Sequence, residues 1–255
     1  MLHNTKTLLE AGGLRPGART KKPPTSNLQP DAALGLAPDT LRLGLFGGTF
    51  NPIHLGHLRA AMEIEEAFSL DRVLFIPAAV PPHKTPENVL PFSRRSRMVR
   101  LAIAGHPSFR VSDVEQRSKG KSYSIRTLRY FHKVYGRKVD LFFILGLDAF
   151  GEINTWKDYQ QLFPLSHFVV MDRPGYRRSH LKEFLRQEIA SDFVFLPKES
   201  RFLHPSGHSV YFFSITLMDI SSTLIRNLRK RGRSIRYLLP QAVEDYILGK
   251  KFYEN

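Results

Sequence analysis

From Leu41 onward the chain alternates short, continuously apolar runs with longer stretches whose apolar positions recur at helical spacing. Leu41-Arg-Leu-Gly-Leu-Phe46 predicts a first strand that breaks at Gly47-Gly48, ahead of an apolar-periodic helix from about Leu55 to Phe68. A second strand is predicted at Val73–Ile76, then a turn-rich stretch Pro77–Pro91, a basic helix around Ser93–Ala104, a strand near Phe109–Val114 and a helix from about Ser122 to Tyr135. The run Val139–Leu145 predicts a buried strand, Trp156–Phe163 carries helix signals, and His167–Met171 predicts the next strand. A helix near Ser179–Ile189, short strands at Phe193–Leu196 and Val210–Phe213, and helices near Ser222–Lys230 and Pro240–Leu248 complete the series. Uninterrupted apolar strands are those covered on both faces, and parallel strands need helical crossovers. The expectation is therefore an α/β, doubly wound, mainly parallel sheet whose ligands bind at the carboxyl ends of the strands.

Residues 1–40 break with this pattern. They hold five prolines and no aromatic residue, valine or isoleucine, so they are expected to form a flexible, disordered N-terminal extension, with one folded domain over 41–255. No apolar run approaches the roughly 18 residues that cross a bilayer, so no membrane partner is expected. The absence of cysteine excludes disulfides, thiolate zinc sites and a cysteine nucleophile, and it fits a cytoplasmic setting. The formal charge is +15, of which the tail, with five basic and three acidic side chains, carries only +2. A positive folded body favours anionic partners: phosphorylated small molecules or nucleic acid.

The loop after the first strand reads Gly47-Gly-Thr-Phe-Asn-Pro-Ile-His-Leu-Gly-His57, which matches neither GxGxxG nor GxxxxGK[ST]. Two glycines and Thr49 at a strand end let backbone amides approach phosphate oxygens, and the helix that follows adds its positive end. His54 and His57 share one face of that helix start, with Gly56 between them leaving room for a ligand. A tight turn and an ordinary capping histidine are the plainer alternatives. HExxH is absent and two histidines lack a third ligand, so no protein-held metal is expected. Ser221-Ser-Thr-Leu-Ile-Arg226 predicts a second helix start, where Ser221 or Ser222 caps and hydroxyls, amides and Arg226 face phosphate. Lys84, in a proline-stiffened loop, can reach a phosphate, and Asp148, after a buried strand and Gly146, either accepts bonds from ribose hydroxyls or caps a helix.

These residues resemble the nucleotidyltransferase superfamily marked by HxGH, and the full Gly47–His57 string resembles the nicotinate-nucleotide adenylyltransferase family. Pro81-Pro-His-Lys84, Lys121-Ser-Tyr-Ser-Ile-Arg-Thr-Leu128, Ile144-Leu-Gly-Leu-Asp148 with Trp156-Lys157, Arg173-Pro-Gly175 and Asp219–Arg226 extend the match over roughly residues 41 to 249. The resemblance implies a Rossmann-like nucleotidyltransferase fold and transfer of the adenylyl group of ATP to nicotinate mononucleotide. It implies that His54 and His57 are catalytic and touch the triphosphate. Gly47, Gly48, Thr49, Phe50, Ser222, Thr223 and Arg226 complete the ATP side, while Lys84, Tyr123, Ser124, Gly146, Asp148 and Trp156 hold the mononucleotide. Ser124 stands where the family more often has threonine. Mg2+ is expected to arrive with ATP, and a homo-oligomer is compatible with the sequence. Alternatives are an enzyme that prefers nicotinamide mononucleotide or takes both acceptors and, more remotely, a basic nucleic-acid-binding module suggested by Arg229-Lys-Arg231, Arg233 and Arg236.

Overall fold

The first apolar run forms the centre of the sheet. In the structure, a computed structural model describing residues 40–81, 89–118, 120–172 and 192–254, strand β1 spans Leu41–Gly48. It pairs in parallel with β2 (Arg72–Pro77) on one side and β4 (Val139–Gly146) on the other. With β3 (Phe109–Val111), β5 (His167–Asp172), β6 (Val194–Leu196), β7 (Arg201–Leu203) and β8 (Ser209–Ser214), the sheet order is β3-β2-β1-β4-β5-β8-β7-β6. The strand sequence reverses between β1 and β4, and such a switch opens a crevice at the carboxyl ends of the strands. The sheet is parallel except at the β6-β7-β8 end, which is antiparallel.

Side-chain alternation along the strands builds two cores. Leu43 and Leu45 with Leu141, Phe143 and Leu145 face one side, where they bury Ile125, Leu128 and Phe131 of helix α4 (Ser124–Tyr135) and Phe150 of α5 (Leu147–Gly151). Phe46, Phe142 and Ile144 face the other, against α1 (Leu55–Ala67), α2 (Phe92–Ala102), α6 (Ser222–Lys230) and α7 (Gln241–Gly249). A four-residue helix α3 (Val114–Arg117) follows β3. The doubly wound, mainly parallel expectation is met.

Four details differ from the sequence reading. β1 continues through both glycines, with Gly47 opposite Ile76 and Gly48 opposite Pro77, so the chain turns only at Thr49. The strand near 109–114 is three residues long and leads into α3. The expected helix over 156–163 is instead a series of 3-10 turns at Ile153–Thr155, Tyr159–Gln161 and Phe163–Leu165. Asp158 in the left-handed region (φ 53°) and Pro164 both interrupt α-helical geometry there. β7 was not anticipated, because Arg201-Phe-Leu203 is too short and mixed to stand out. The predicted helix at 179–189 and the residues of the N-terminal extension up to 39 lie outside the described residues.

At the opposite end of the sheet from the crevice, Asp140, His167 and His208 have the composition of a metal site. The Ser209 amide donates to His167 Nδ1 at 2.9 Å, which leaves the neutral ring's proton on Nε2, 3.2 Å from Asp140 Oδ1. A ring held this way donates to the carboxylate and offers no lone pair to a cation. Arg42 also lies 3.7 Å from Asp140. Asp140, His167 and the Ser209 amide form a hydrogen-bonded network that ties the starts of β4, β5 and β8 together, with the His208 ring beside it, 5.0 Å from that of His167 between centroids.

Candidate active site

The crevice between β1 and β4 is a cavity of about 450 Å3. Its floor is Gly47 and Gly48 of β1 and Thr49 just after it, with Ile144, Leu145 and Gly146 from β4, and its wall includes Ser122, Tyr123, Ser124 and Thr127 around the start of α4. Trp156 and Lys157 close the far side. Helix α4 begins at Ser124; its first amides, as at any helix start, lack intrahelical partners and present a partial positive charge, which no acidic residue in the first turn offsets. Lys121 and Lys157 add full charges, the latter 5.2 Å above the Tyr123 ring, with the Arg126 guanidinium 5.3 Å from the same ring. Trp156, half-buried, meets Phe143 edge to face at 6.1 Å and leaves a flat aromatic surface in the lining.

Of the residues assigned to the mononucleotide, Tyr123, Ser124, Gly146 and Trp156 line this cavity together. Asp148 is exposed in the first turn of α5, outside the lining, with Oδ1 turned so far back that a Cβ on Gly146 would stand 2.5 Å from it. Lys84 lies outside the described residues.

The histidine motif forms a second half. His54 is the N-cap of α1 and is 7% exposed, and its ring lies 3.7 Å from that of His57 between centroids. The His54 amide donates to His57 Nδ1 at 3.2 Å, so neutral His57 carries its proton on Nε2. Burial pushes His54 down to about 4, which keeps its ring neutral at neutral pH. A Cβ on Gly56 would stand 3.1 Å from His54 Nδ1, so the glycine makes room for the histidine ring itself. Gly48 is likewise required by Phe50, whose ring would lie 2.9 Å from a Cβ at 48. Phe50, with φ 49°, turns that ring into the core, 5.1 Å from His57 and 5.8 Å from Phe75. Its side chain therefore supports His57, and only its backbone remains for the phosphate contact expected of it.

Helix α6 meets the same loop. Ser221 is its cap, accepting the Leu224 amide at 3.1 Å, while Ser222 Oγ donates to the Pro52 carbonyl at 2.7 Å and Arg226 donates to the Asn51 carbonyl at 2.9 Å. Arg226 also donates to Thr223 Oγ1 at 3.0 Å. Ser222 and Arg226 thus hold the Asn51–His54 segment, and the starts of α1 and α6 converge on one loop with no acidic residue in either first turn. Such paired helix ends suit a polyanion.

Two residues escaped the sequence reading. Arg95, 1% exposed, donates to the carbonyls of Leu90 (2.8 Å), Thr49 (2.7 Å) and Ala78 (2.6 Å), joining the loops after β1 and β2 to the start of α2. Glu115 lines the cavity, accepts from Thr127 Oγ1 at 3.2 Å and leaves Oε2 without a hydrogen-bond partner. Its carboxyl is pushed up by burial, against the pull of Ser122, Thr127, the Ala79 amide and Arg95. A basic helix and an isolated glutamate give no sequence signal that separates them from solvated surface.

Comparison with known proteins agrees with this geometry. A family model described as cytidylyltransferase-like matches residues 45–228. A protein of Geotalea uraniireducens named probable nicotinate-nucleotide adenylyltransferase is 48% identical over 215 residues, covering 84% of this chain and 99% of that protein. Its namesake in Citrifermentans bemidjiense is 50% identical over 213 residues, covering 84% and 98%. The chain belongs to the nicotinate-nucleotide adenylyltransferase family. Among solved structures, Plasmodium falciparum nicotinic acid mononucleotide adenylyltransferase complexed with NaAD shares the family fold, with a TM-score of 0.64 at 18% identity over 84% of this chain and 97% of that one.

The neutral histidines carry a stability signature. His54 and His208 are both lowered by burial to about 4, so the unfolded chain, with ordinary histidines, takes up protons first as the pH falls. The stability they contribute is complete above about pH 6.5 and is lost towards pH 4. At pH 5 each has lost about 2 kcal/mol, and Glu115, whose raised pKa acts in the opposite sense, offsets part of this. Tm measured at pH 5 is expected to lie roughly 5–15 °C below that at pH 7. His208→Gln should flatten the dependence by about half, and an unchanged profile would refute the assignment.

Proposed function

We propose that this chain transfers the adenylyl group of ATP to nicotinate mononucleotide, yielding deamido-NAD and pyrophosphate. The observation that carries the acid acceptor is the cationic start of α4: free amides at Ser124, the Ser124 hydroxyl and two lysines surround the space beside Trp156. A pyridine carboxylate finds donors and opposite charge there, and its ring finds the indole face. An oxygen of the mononucleotide phosphate attacks the α-phosphorus of ATP, the new O–P bond forms in line with the bond that breaks, and pyrophosphate leaves with that electron pair. The chemistry needs no protein nucleophile and rests on positioning and charge stabilisation.

In this reading Gly47, Gly48 and Thr49 sit between the two substrates, lining the mononucleotide cavity and leading directly to His54. His57 donates a hydrogen bond from Nε2 to the reacting phosphates, and Thr223, Arg226 and the main-chain amide of Ser222, whose hydroxyl is held by Pro52, take the rest of the triphosphate. Magnesium fits as an ion carried by triphosphate oxygens and water, because neither helix start offers a carboxylate in its first turn. It would supply neutralisation of the charge on the leaving pyrophosphate.

One observation favours a second reading in which the amide acceptor is also used: Glu115 lines the cavity, and a carboxylate there suits an amide N–H. Pyrophosphate release with ATP and magnesium, measured with nicotinate mononucleotide, nicotinamide mononucleotide and phosphopantetheine, separates them. Strong preference for the acid is expected. Preference for another acceptor would leave the phosphate half standing and remove the roles of Tyr123, Ser124 and Trp156.

A further inference from the structure

We propose that Tyr253, beyond the last helix, is a positioning residue for the triphosphate half of the site and acts through the side chain of Asn51. The proposal rests on the functional reading above. Asn51 stands between Thr49, which lines the cavity, and His54, which caps α1, and it is 2% exposed. Its Oδ1 accepts two hydrogen bonds, from the Leu90 amide at 3.2 Å and from the Tyr253 hydroxyl at 2.9 Å. Its main-chain carbonyl accepts from Arg226 at 2.9 Å. One buried asparagine therefore joins the loop before α2, the start of α6 and the chain after α7.

The segment that delivers Tyr253 is held in an unfavourable backbone. Lys251 (φ 52°) and Tyr253 (φ 63°) both occupy the left-handed region, which bulky side chains seldom adopt unless their surroundings over-determine it. Those surroundings are present. The Phe252 amide donates to the Ile247 carbonyl at 3.0 Å, and its ring meets Tyr246 edge to face at 5.5 Å with the Arg94 guanidinium 5.8 Å above it. Glu254 pairs with Arg229 of α6. The joint result of these contacts is to aim one hydroxyl at Asn51. Burial pushes the Tyr253 phenol up, so that hydroxyl stays protonated and remains a donor through the working pH range.

The other side of the loop has a separate anchor, since Arg95 holds the Thr49 carbonyl. Loss of the Tyr253 hydroxyl should therefore loosen the 51–54 segment, and with it His54 and the carbonyls facing Ser222 and Arg226, while the mononucleotide cavity keeps its shape. Tyr253→Phe retains the ring and removes the donor. We expect its affinity for a non-hydrolysable ATP analogue, measured by calorimetry, to fall about 5- to 20-fold. Affinity for nicotinate mononucleotide, read from the fluorescence of Trp156, the chain's single tryptophan, should stay within twofold. Under turnover the same split should appear as a raised KM for ATP with the mononucleotide KM unmoved. A merely structural tyrosine would weaken both ligands alike, or neither, and either result overturns the proposal. In an Asn51→Ala background the tyrosine substitution should add nothing further. An undiminished effect there would also overturn it, and if that double variant does not fold, the split in the single variant decides. Absence of pyrophosphate release by the wild-type chain would instead refute the functional reading, while the ATP-analogue affinities would still test the positioning.

Discussion

His57→Ala is expected to lower kcat for pyrophosphate release by about 10²–10³-fold, the range seen when one preorganised transition-state donor is removed. The His54 amide occupies His57 Nδ1 at 3.2 Å and so fixes the proton on Nε2. The ring is held edge-on against Phe50 at 5.1 Å and beside Phe46 at 6.1 Å, so little reorganisation is needed when charge develops on the phosphates. Alanine removes the donor and leaves the His54 amide without its acceptor, but α1 keeps its main-chain bonds. Tm should fall by only a few degrees, as for the loss of one cap contact. His57→Asn, which can keep an N–H near the same place, should recover part of the rate. A kcat within about threefold of wild type for the alanine variant would remove His57 from the mechanism, and a large drop in Tm would show that its role is structural.

The sequence displays some of these features and hides others. β1, β4 and β5 were legible because strands buried on both faces have no polar positions to interrupt Leu43–Phe46, Leu141–Leu145 or Phe168–Val170. β7 was not, since it is stabilised by its neighbour, with Phe202 opposite Val210, and not by any run of its own. The 3-10 turns after α5 carried apolar residues at nearly helical spacing, and only the left-handed Asp158 and Pro164 decide against a helix. The two histidine positions were visible as a motif, but their distinct states were not. His54 is neutral because the fold buries it, and the proton on His57 is placed by the His54 amide at its Nδ1, neither of which the spacing reports. The need of the His54 ring for a glycine at 56 leaves no mark in the sequence, because a missing side chain looks the same whichever neighbour uses the space.

Arg95 is the extreme case, and its replacement carries the largest stability effect we expect. It sits in Phe92-Ser-Arg-Arg-Ser-Arg-Met98, where three of seven residues are basic and the obvious reading is a solvated helix face. The fold buries this one guanidinium to 1% exposure and turns three of its donors to carbonyls of segments 5, 46 and 17 residues away. Burial lowers its pKa, yet Tyr253 and Glu115 act against that shift and an arginine stays charged at any working pH. Arg95→Met keeps much of the stem's volume but strands the carbonyls of Leu90, Thr49 and Ala78 away from any donor. Hydrogen bonds to charged groups contribute roughly 1.5–3 kcal/mol each, and partial collapse or entering water recovers some of that, so a net loss of about 3–5 kcal/mol is expected. For a folded body of this size that corresponds to a Tm lower by roughly 6–20 °C. Arg95→Lys keeps the charge but not the planar fork, so it should hold one carbonyl and fall between the two. Because Thr49 lines the cavity, the lysine variant should also raise KM for the mononucleotide several-fold while it remains folded. Thermal melts within about 1 kcal/mol of wild type for the methionine variant would mean that water satisfies these carbonyls as well as the arginine does.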